Sequence, residues 1–255
     1  MILKGKKIAV FNVANKKSIA WAIAQSIMAQ GGEVILGYQN ERLKENVEEL
    51  IEGISPKPLI VRCDVSTDEQ IEEAKREIEE KSGRIDGLVH SIAYAPSEAL
   101  KSRYLETQRE AFKIALEISV YSFVAMSRIF YPIINSGGGI ITLTYLGSEK
   151  VIPNYNIMGV AKSALESSVR YLAYELGENN IRVNAISSGP LSTLAARGIS
   201  GFVDMFRLYR EKSPLRRNIE HREVGDTAVF LISDLASGIT GEIIYVDAGY
   251  NIIGM

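Results

Sequence analysis

In the stretch Pro153-Asn154-Tyr155-Asn156-Ile157-Met158-Gly159-Val160-Ala161-Lys162, a phenol and an ammonium stand seven residues apart. If the chain is helical from Asn154 onward, that spacing is about two turns and puts Tyr155 and Lys162 on one face. A nearby ammonium favours the ionised form of a phenol, which would make Tyr155 a usable proton donor at neutral pH. A solvated helix face can produce the same pair by chance. The segment upstream weighs against chance. Gly139-Ile140-Ile141-Thr142-Leu143-Thr144-Tyr145 reads as a buried strand ending at a second phenol, Tyr145. Open α/β sheets bind ligands just outside the carboxyl ends of their strands.

Elements able to hold these groups alternate along the whole chain. Strands are expected at Ile8–Phe11, Val34–Leu36, Leu59–Val61, Gly87–Ile92, Gly139–Tyr145, Ile181–Ile186 and Glu242–Val246. Helical patterns cover Ser18–Gln30, Glu41–Glu52, Asp68–Lys81 and Val224–Ser233, and Thr107–Ile134 reads as two helices or one bent one. Strands read as continuous apolar runs when both faces are buried, and regular β-α alternation implies a parallel sheet covered on both sides. The expected fold is α/β: one Rossmann-like, doubly wound parallel sheet of about seven strands, in a single domain over 1–255. Only Gly189 to Lys212 breaks the alternation. It opens on Gly189-Pro190, continues as a weakly amphipathic piece, and is expected to be a lid or loop insertion.

The 255 residues are 46% hydrophobic and 24% charged, with a formal net charge of -2, which suits one large globular core. This balance gives no electrostatic reason to expect nucleic acid or an anionic membrane as partner. Cys63 is the one cysteine, so no intrachain disulfide can form and a reducing compartment is the simpler reading. The amino-terminal residues lead into a strand and not a signal-peptide core, and no apolar stretch reads as long enough to span a bilayer. A soluble cytoplasmic protein is the expectation.

The turn after the first strand, Asn12-Val13-Ala14-Asn15-Lys16-Lys17-Ser18-Ile19-Ala20, is where a dinucleotide pyrophosphate would meet a helix amino terminus. It contains no glycine, and alone it reads equally well as an ordinary connection with Ser18 as helix cap. The full set of motifs goes further. Ala14 to Trp21, His90-Ser91-Ile92-Ala93-Tyr94-Ala95-Pro96, Leu143 to Glu149, Asn154 to Lys162, Arg182-Val183-Asn184-Ala185-Ile186-Ser187 and Val246-Asp247-Ala248-Gly249-Tyr250 follow in this order. In that order they resemble the enoyl-acyl-carrier-protein reductases of bacterial type II fatty-acid synthesis, a divergent branch of the short-chain dehydrogenases/reductases. The resemblance runs from about Gly5 to the last residues. It is specific at the branch level, because an ordinary short-chain dehydrogenase has serine in place of Tyr145 and asparagine in place of Ser119.

The resemblance implies a cytoplasmic homotetramer that uses NADH to reduce a trans-2-enoyl thioester on acyl carrier protein. It implies Tyr145, Tyr155 and Lys162 as catalytic residues, Tyr155 as donor to the enolate oxygen and Lys162 on the nicotinamide ribose. It also implies cofactor contacts at Asn12, Ser18, Ile19, Gln39, Asp64, Val65, Ile92, Leu191 and Thr193, and no metal. Ala95, Pro190, Ala195, Ile199, Phe202 and Met205 would wall an apolar acyl pocket. Neutral Gln39 and Asn40 offer no cation to a ribose 2′-phosphate and favour NADH over NADPH, with Arg42 the nearest cation.

The chain departs from the family pattern at several places. Asn12 replaces a glycine; asparagine tolerates positive φ, but its side chain could crowd the cofactor. Ser192 stands for arginine and Ser188 for alanine. The lid lacks basic residues at Ser200, Val203 and Asp204, leaving Arg197, Arg207 and Arg210 to meet an acidic carrier protein. Two other readings stay open: a carbonyl reductase using the same Tyr/Lys pair, and a nucleotide-binding, non-catalytic relative.

Overall fold

The computed structural model describes residues 1–193 and 201–254. Among these residues there are seven strands: β1 Lys7–Phe11, β2 Glu33–Tyr38, β3 Leu59–Arg62, β4 Ile85–His90, β5 Ile134–Thr144, β6 Arg182–Ser188 and β7 Ile243–Val246. All neighbours pair in parallel, in the order β3-β2-β1-β4-β5-β6-β7. The helices are α1 Ile19–Ala29, α2 Glu41–Leu50, α3 Asp68–Ser82, α4 Ser97–Lys101, α5 Arg109–Leu116, α6 Ser122–Phe130, α7 Ile157–Leu176, α8 Phe202–Lys212 and α9 His221–Ile232.

Successive strand residues feed opposite layers, as the period of two requires. Ile8 and Val10 join Leu36, Val89, Ile141 and Ile186 under α1 and α9. Ala9 and Phe11 join Ile35, Leu88, Ile140 and Val183 under α3, α6 and α7. Each large side chain so buried contributes roughly 1.5–3 kcal/mol. The first layer depends on α1 and α9 lying very close. A Cβ on Gly225 would stand 2.5 Å from Ser26 Oγ and 2.8 Å from the Ala22 carbonyl oxygen. Ser26 Oγ also donates to Asp226 Oδ1 across the same contact at 3.0 Å.

One local expectation is sharpened and two are corrected. The bend expected between Thr107 and Ile134 is a π turn, Glu117–Tyr121, between α5 and α6, followed by a 3-10 turn, Tyr131–Ile133. Together these make one helical run, Arg109–Ile133, long and apolar enough by length and composition to cross a membrane, contrary to the sequence reading. Its Ala115, Phe123, Met126 and Phe130 are buried against the sheet and neighbouring helices. The helix expected from Asn154 begins only at Ile157, so Tyr155 lies in the turn before α7. The reason is Asn156, at φ 43 and ψ -122. Its Nδ2 donates to the Ser102 carbonyl oxygen at 2.8 Å, and the Ala99 and Leu100 oxygens lie at 3.3 Å. Tying the end of α4 there outweighs helical backbone geometry at this residue.

Candidate active site

The strand order reverses direction between β1 and β4, and this is where the loops after both strands diverge. Asn12 follows β1 and takes φ 70, the left-handed conformation expected of it. Its amide Nδ2 donates to the Ser91 carbonyl oxygen beyond β4 at 2.7 Å, so the side chain is tied to the β4 loop. Beside it lies a cavity of about 610 Å³, lined by Asn12, Gln39, Asp64, Val65, Ile92 and Ile118 among others. Five of the residues expected to hold a dinucleotide thus share one cavity at the switch point. Gln39 Nε2 donates to Asp64 Oδ2 at 3.3 Å, placing a carboxylate at that end. Ser18 caps α1, its Oγ accepting from the Trp21 amide at 3.3 Å, and Ile19 opens the helix. Asn40 caps α2 by accepting from the Leu43 amide at 3.2 Å.

Ser119, in the π turn, braces the loop after β4. Its Oγ donates to the Tyr94 carbonyl oxygen and accepts from the Tyr94 amide, both at 3.0 Å. A π turn inserted in a helix often marks a functional site, and here it brings a small hydroxyl under a loop that lines the cavity. Leu191 is buried and Thr193 is half-buried, its amide donating to the Leu191 carbonyl oxygen at 2.8 Å.

The catalytic candidates meet at the carboxyl end of β5. Tyr145 follows the strand directly, and its ring meets that of Tyr155 edge-on, with centroids 5.0 Å apart. Gly147 makes room for this. A Cβ there would stand 2.5 Å from Tyr155 Cδ1. Lys162 is buried on α7 and its Nζ donates to the Leu143 carbonyl oxygen at 2.7 Å. Burial lowers its pKa to about 8, against the opposing pull of Glu166 one turn on. Glu166 is itself buried and accepts from Thr144 Oγ1 at 2.6 Å.

The expected activation of Tyr155 by Lys162 is reversed. Burial, then the neighbouring Tyr145 and Glu166, push the Tyr155 hydroxyl well above the usual phenol range. The Tyr155 phenol, its ring partly buried, therefore keeps its proton at neutral pH. Among the described residues its hydroxyl has no hydrogen-bond partner. Tyr145 is also raised, to about 12, chiefly by burial, with the hydrogen bond from Tyr209 acting the other way.

Of the expected acyl-pocket residues, Met205 reaches the centre: Tyr145 OH donates to its Sδ at 3.1 Å. Ala95 packs beside Ala99, Ala111 and Ile157, and Pro190 is buried next to Gly189. Ala195 and Ile199 lie outside the described residues, as does the side chain of Phe202 at the start of α8. Tyr209, Tyr250 and Glu166 belong to the site but were missed. A signal existed for two of them. Tyr209 is four residues from Met205, and Glu166 four from Lys162, so each shares a helix face with a residue already singled out.

Comparison with known proteins agrees with this geometry. A family model described as Enoyl-(Acyl carrier protein) reductase matches residues 13–251. The enoyl-[acyl-carrier-protein] reductase [NADH] FabI of Bacillus cereus is 48% identical over 254 residues, 99% of each chain. That of Bacillus subtilis is 49% identical over 251 residues, 98% of this chain and 97% of its own. The crystal structure of the Aquifex aeolicus enzyme superposes with a TM-score of 0.96 at 47% identity, covering 100% of both chains. A Bacillus cereus structure with NADP+ and indole naphthyridinone gives a TM-score of 0.98 at 47% identity, covering 100% of this chain and 99% of that one. Matched along its length at nearly half its residues, with the same sheet beneath, this chain belongs to the enoyl-acyl-carrier-protein reductase family.

Proposed function

We propose that this protein reduces the carbon-carbon double bond of trans-2-enoyl-acyl-carrier-protein with NADH, the last step of the fatty-acid elongation cycle. The observation that carries the reading is the phenol pair of buried Tyr145 and partly buried Tyr155 with the buried Lys162, set at the carboxyl end of the same sheet whose switch point holds the cavity of about 610 Å³. Bound NADH supplies a hydride, which adds to C3 of the enoyl group. The double-bond electrons move toward the thioester oxygen, and the resulting enolate takes one proton at C2. Tyr155 donates a hydrogen bond to that oxygen as its charge develops, a contribution commonly worth several kcal/mol when the donor is preorganised. Tyr145 stands beside the reacting atoms in the acyl pocket. Lys162 holds the ribose hydroxyls and adds positive charge nearby.

The remaining contacts divide between the two ligands. Asn12, Ser18 and Ile19 hold the pyrophosphate at the α1 amino terminus, Asp64 and Val65 the adenine, and Gln39 the ribose edge. Ile92, Leu191 and Thr193 lie along the cofactor. Ala95, Pro190, Ala195, Ile199, Phe202 and Met205 take the acyl chain. The fall of NADH absorbance with a crotonyl thioester, beside a simple ketone, tests the reading. Consumption with the ketone alone would make the protein a carbonyl reductase, and consumption with neither a non-catalytic relative.

Preference for NADH rests on Gln39 and on the Asp64 carboxylate bonded to it, which would repel a 2′-phosphate. Gln39→Arg should move kcat/KM toward NADPH, because a guanidinium can grip phosphate at two points. Asn40 is best left alone, since loss of its helix cap costs about 1 kcal/mol. A wild-type protein already faster with NADPH would overturn the assignment and point to Arg42.

The chain works as one dinucleotide-binding and catalytic domain over 1–255, with the segment 189–212 as substrate lid. Within that segment, of which residues 194–200 lie outside the described residues, α8 sets Met205 and Tyr209 over Tyr145, so a substrate oxygen reaches the Tyr145 hydroxyl by displacing the Met205 side chain. Amide exchange over 202–212 should slow when NADH and an enoyl analogue are added. Equal, strong protection without them would make the segment a fixed part of the fold. Arg207 is paired with Asp204 at 3.2 Å, leaving Arg210 and Lys212, both in the last turn, as the cations of α8 outside an ion pair among the described residues. Carrier-protein and CoA thioesters should accordingly be discriminated weakly. The exposed Tyr171 and Tyr174 of α7 and the half-buried β7 suit a homotetramer. A cytoplasmic setting suits Cys63, a buried thiol whose pKa burial raises to about 12.

A further inference from the structure

Tyr209 lies outside every motif, yet it is 3% exposed and sits at the centre of the aromatic cluster. Its ring stacks on Tyr250, with centroids 3.7 Å apart and planes 16° from parallel. Tyr250 is seated on a turn that the buried Asp247 carboxylate holds by accepting from the Gly249 amide at 2.9 Å and the Asn251 amide at 2.8 Å. Leu215 just beyond α8 donates its amide to the Ala248 carbonyl oxygen of the same turn at 3.2 Å. Packing alone would be met by a phenylalanine, with no hydroxyl to remove from water. The Tyr209 hydroxyl is instead directed at one partner: it donates to the Tyr145 hydroxyl at 3.1 Å.

That bond decides where the Tyr145 proton goes. A phenol has one proton to donate, and an oxygen already receiving a hydrogen bond must place its own proton elsewhere. Tyr145 places it on Met205 Sδ, 3.1 Å away. A thioether is a weak acceptor, readily exchanged for a carbonyl oxygen. Resting on the enoyl-reductase reading above, we infer that Tyr209 is a positioning residue that orients the Tyr145 hydroxyl as a second donor toward the thioester oxygen. The oxygen takes the place of Met205, and the two phenols, already edge to face, converge on it. Tyr209 and Met205 stand one turn apart on α8, so one helix sets both the donor to Tyr145 and the acceptor that the substrate oxygen replaces. A chain of donors also strengthens each member, because the first bond polarises the second.

The test is steady-state kinetics with NADH and a crotonyl thioester on the wild type, Tyr209→Phe, Tyr145→Phe and the double variant, with NADH affinity measured in parallel. Tyr209→Phe keeps the stack on Tyr250 and should lower kcat about three- to tenfold, the scale of one hydrogen bond, with KM for NADH unchanged. In the Tyr145→Phe background the same substitution should have no further effect. Wild-type kcat in Tyr209→Phe, equal fractional losses in both backgrounds, or a parallel loss of NADH affinity would each overturn the inference. A wild type that does not turn over the thioester sinks the enoyl-reductase reading itself, a result the four-way comparison keeps separate.

Discussion

Tyr155→Phe should lower kcat about 10²-fold or more and leave NADH affinity nearly unchanged. The substitution removes one oxygen and keeps the ring that meets Tyr145 edge-on and fills the space beside Gly147. The fold should therefore survive, and the loss should fall on the step in which charge develops at the thioester oxygen. Burial strengthens the expectation. It raises the pKa of the phenol above its ordinary value, so Tyr155 keeps its proton for donation at neutral pH. A donor already fixed in place does not have to reorganise as charge appears, which is why its removal reaches kcat more than KM. Turnover equal to wild type would take Tyr155 out of the mechanism.

Lys162→Ala should act on both parameters, raising KM for NADH and lowering kcat. It should also remove the alkaline limb of the wild-type pH profile. Burial lowers the Lys162 pKa to about 8, so its ammonium and the ribose contact it makes are lost as pH rises through that value. Stability moves the other way. In the unfolded chain a lysine keeps its proton to about pH 10.4. Between about pH 8 and that value the unfolded state binds more protons than the folded one. Stability from this group therefore rises with pH in that window, and below it the penalty for burying the ammonium is fully present. Subtracting the Lys162→Ala denaturation curve from that of the wild type isolates the term. A KM for NADH that Lys162→Ala leaves unchanged would remove the lysine from the ribose.

The centre of the sheet was legible because β1, β2 and β4 are largely buried and carry mainly apolar residues. Ile8-Ala9-Val10-Phe11 reads as a strand whichever layer each residue feeds. Tyr145, Tyr155 and Lys162 were legible as a motif, but their relation was not. The helical spacing that first joined Tyr155 to Lys162 fails because Asn156 takes a backbone angle set by carbonyls of α4, more than fifty residues away in sequence. The direction of the Tyr155 shift was missed for a related reason. A nearby ammonium is visible in a sequence, whereas the burial that outweighs it exists only once β5, α7 and α8 are assembled. Tyr209 escaped because the segment that carries it interrupts the β-α rhythm on which the strand and helix assignments relied. The pattern over Thr107–Ile134 reads as two helices or one bent one, and nothing in its composition distinguishes a π turn from an ordinary break.

The bond from Asn12 to Ser91 changes what kind of loop this is. A glycine at that place contributes only freedom, and a flexible loop must give that freedom up each time it closes on a ligand. Asparagine reaches the same left-handed angle and also stitches the mouth of β1 to that of β4, so the loop is set before any guest arrives. A preset mould takes its guest without a rearrangement on the way in, and the encounter then runs at the pace of diffusion and docking. On the proposed function, the mark of Asn12 should then be found in how tightly the cofactor is held as well as in how fast it enters, because the ordering of the loop is completed on folding and not on binding.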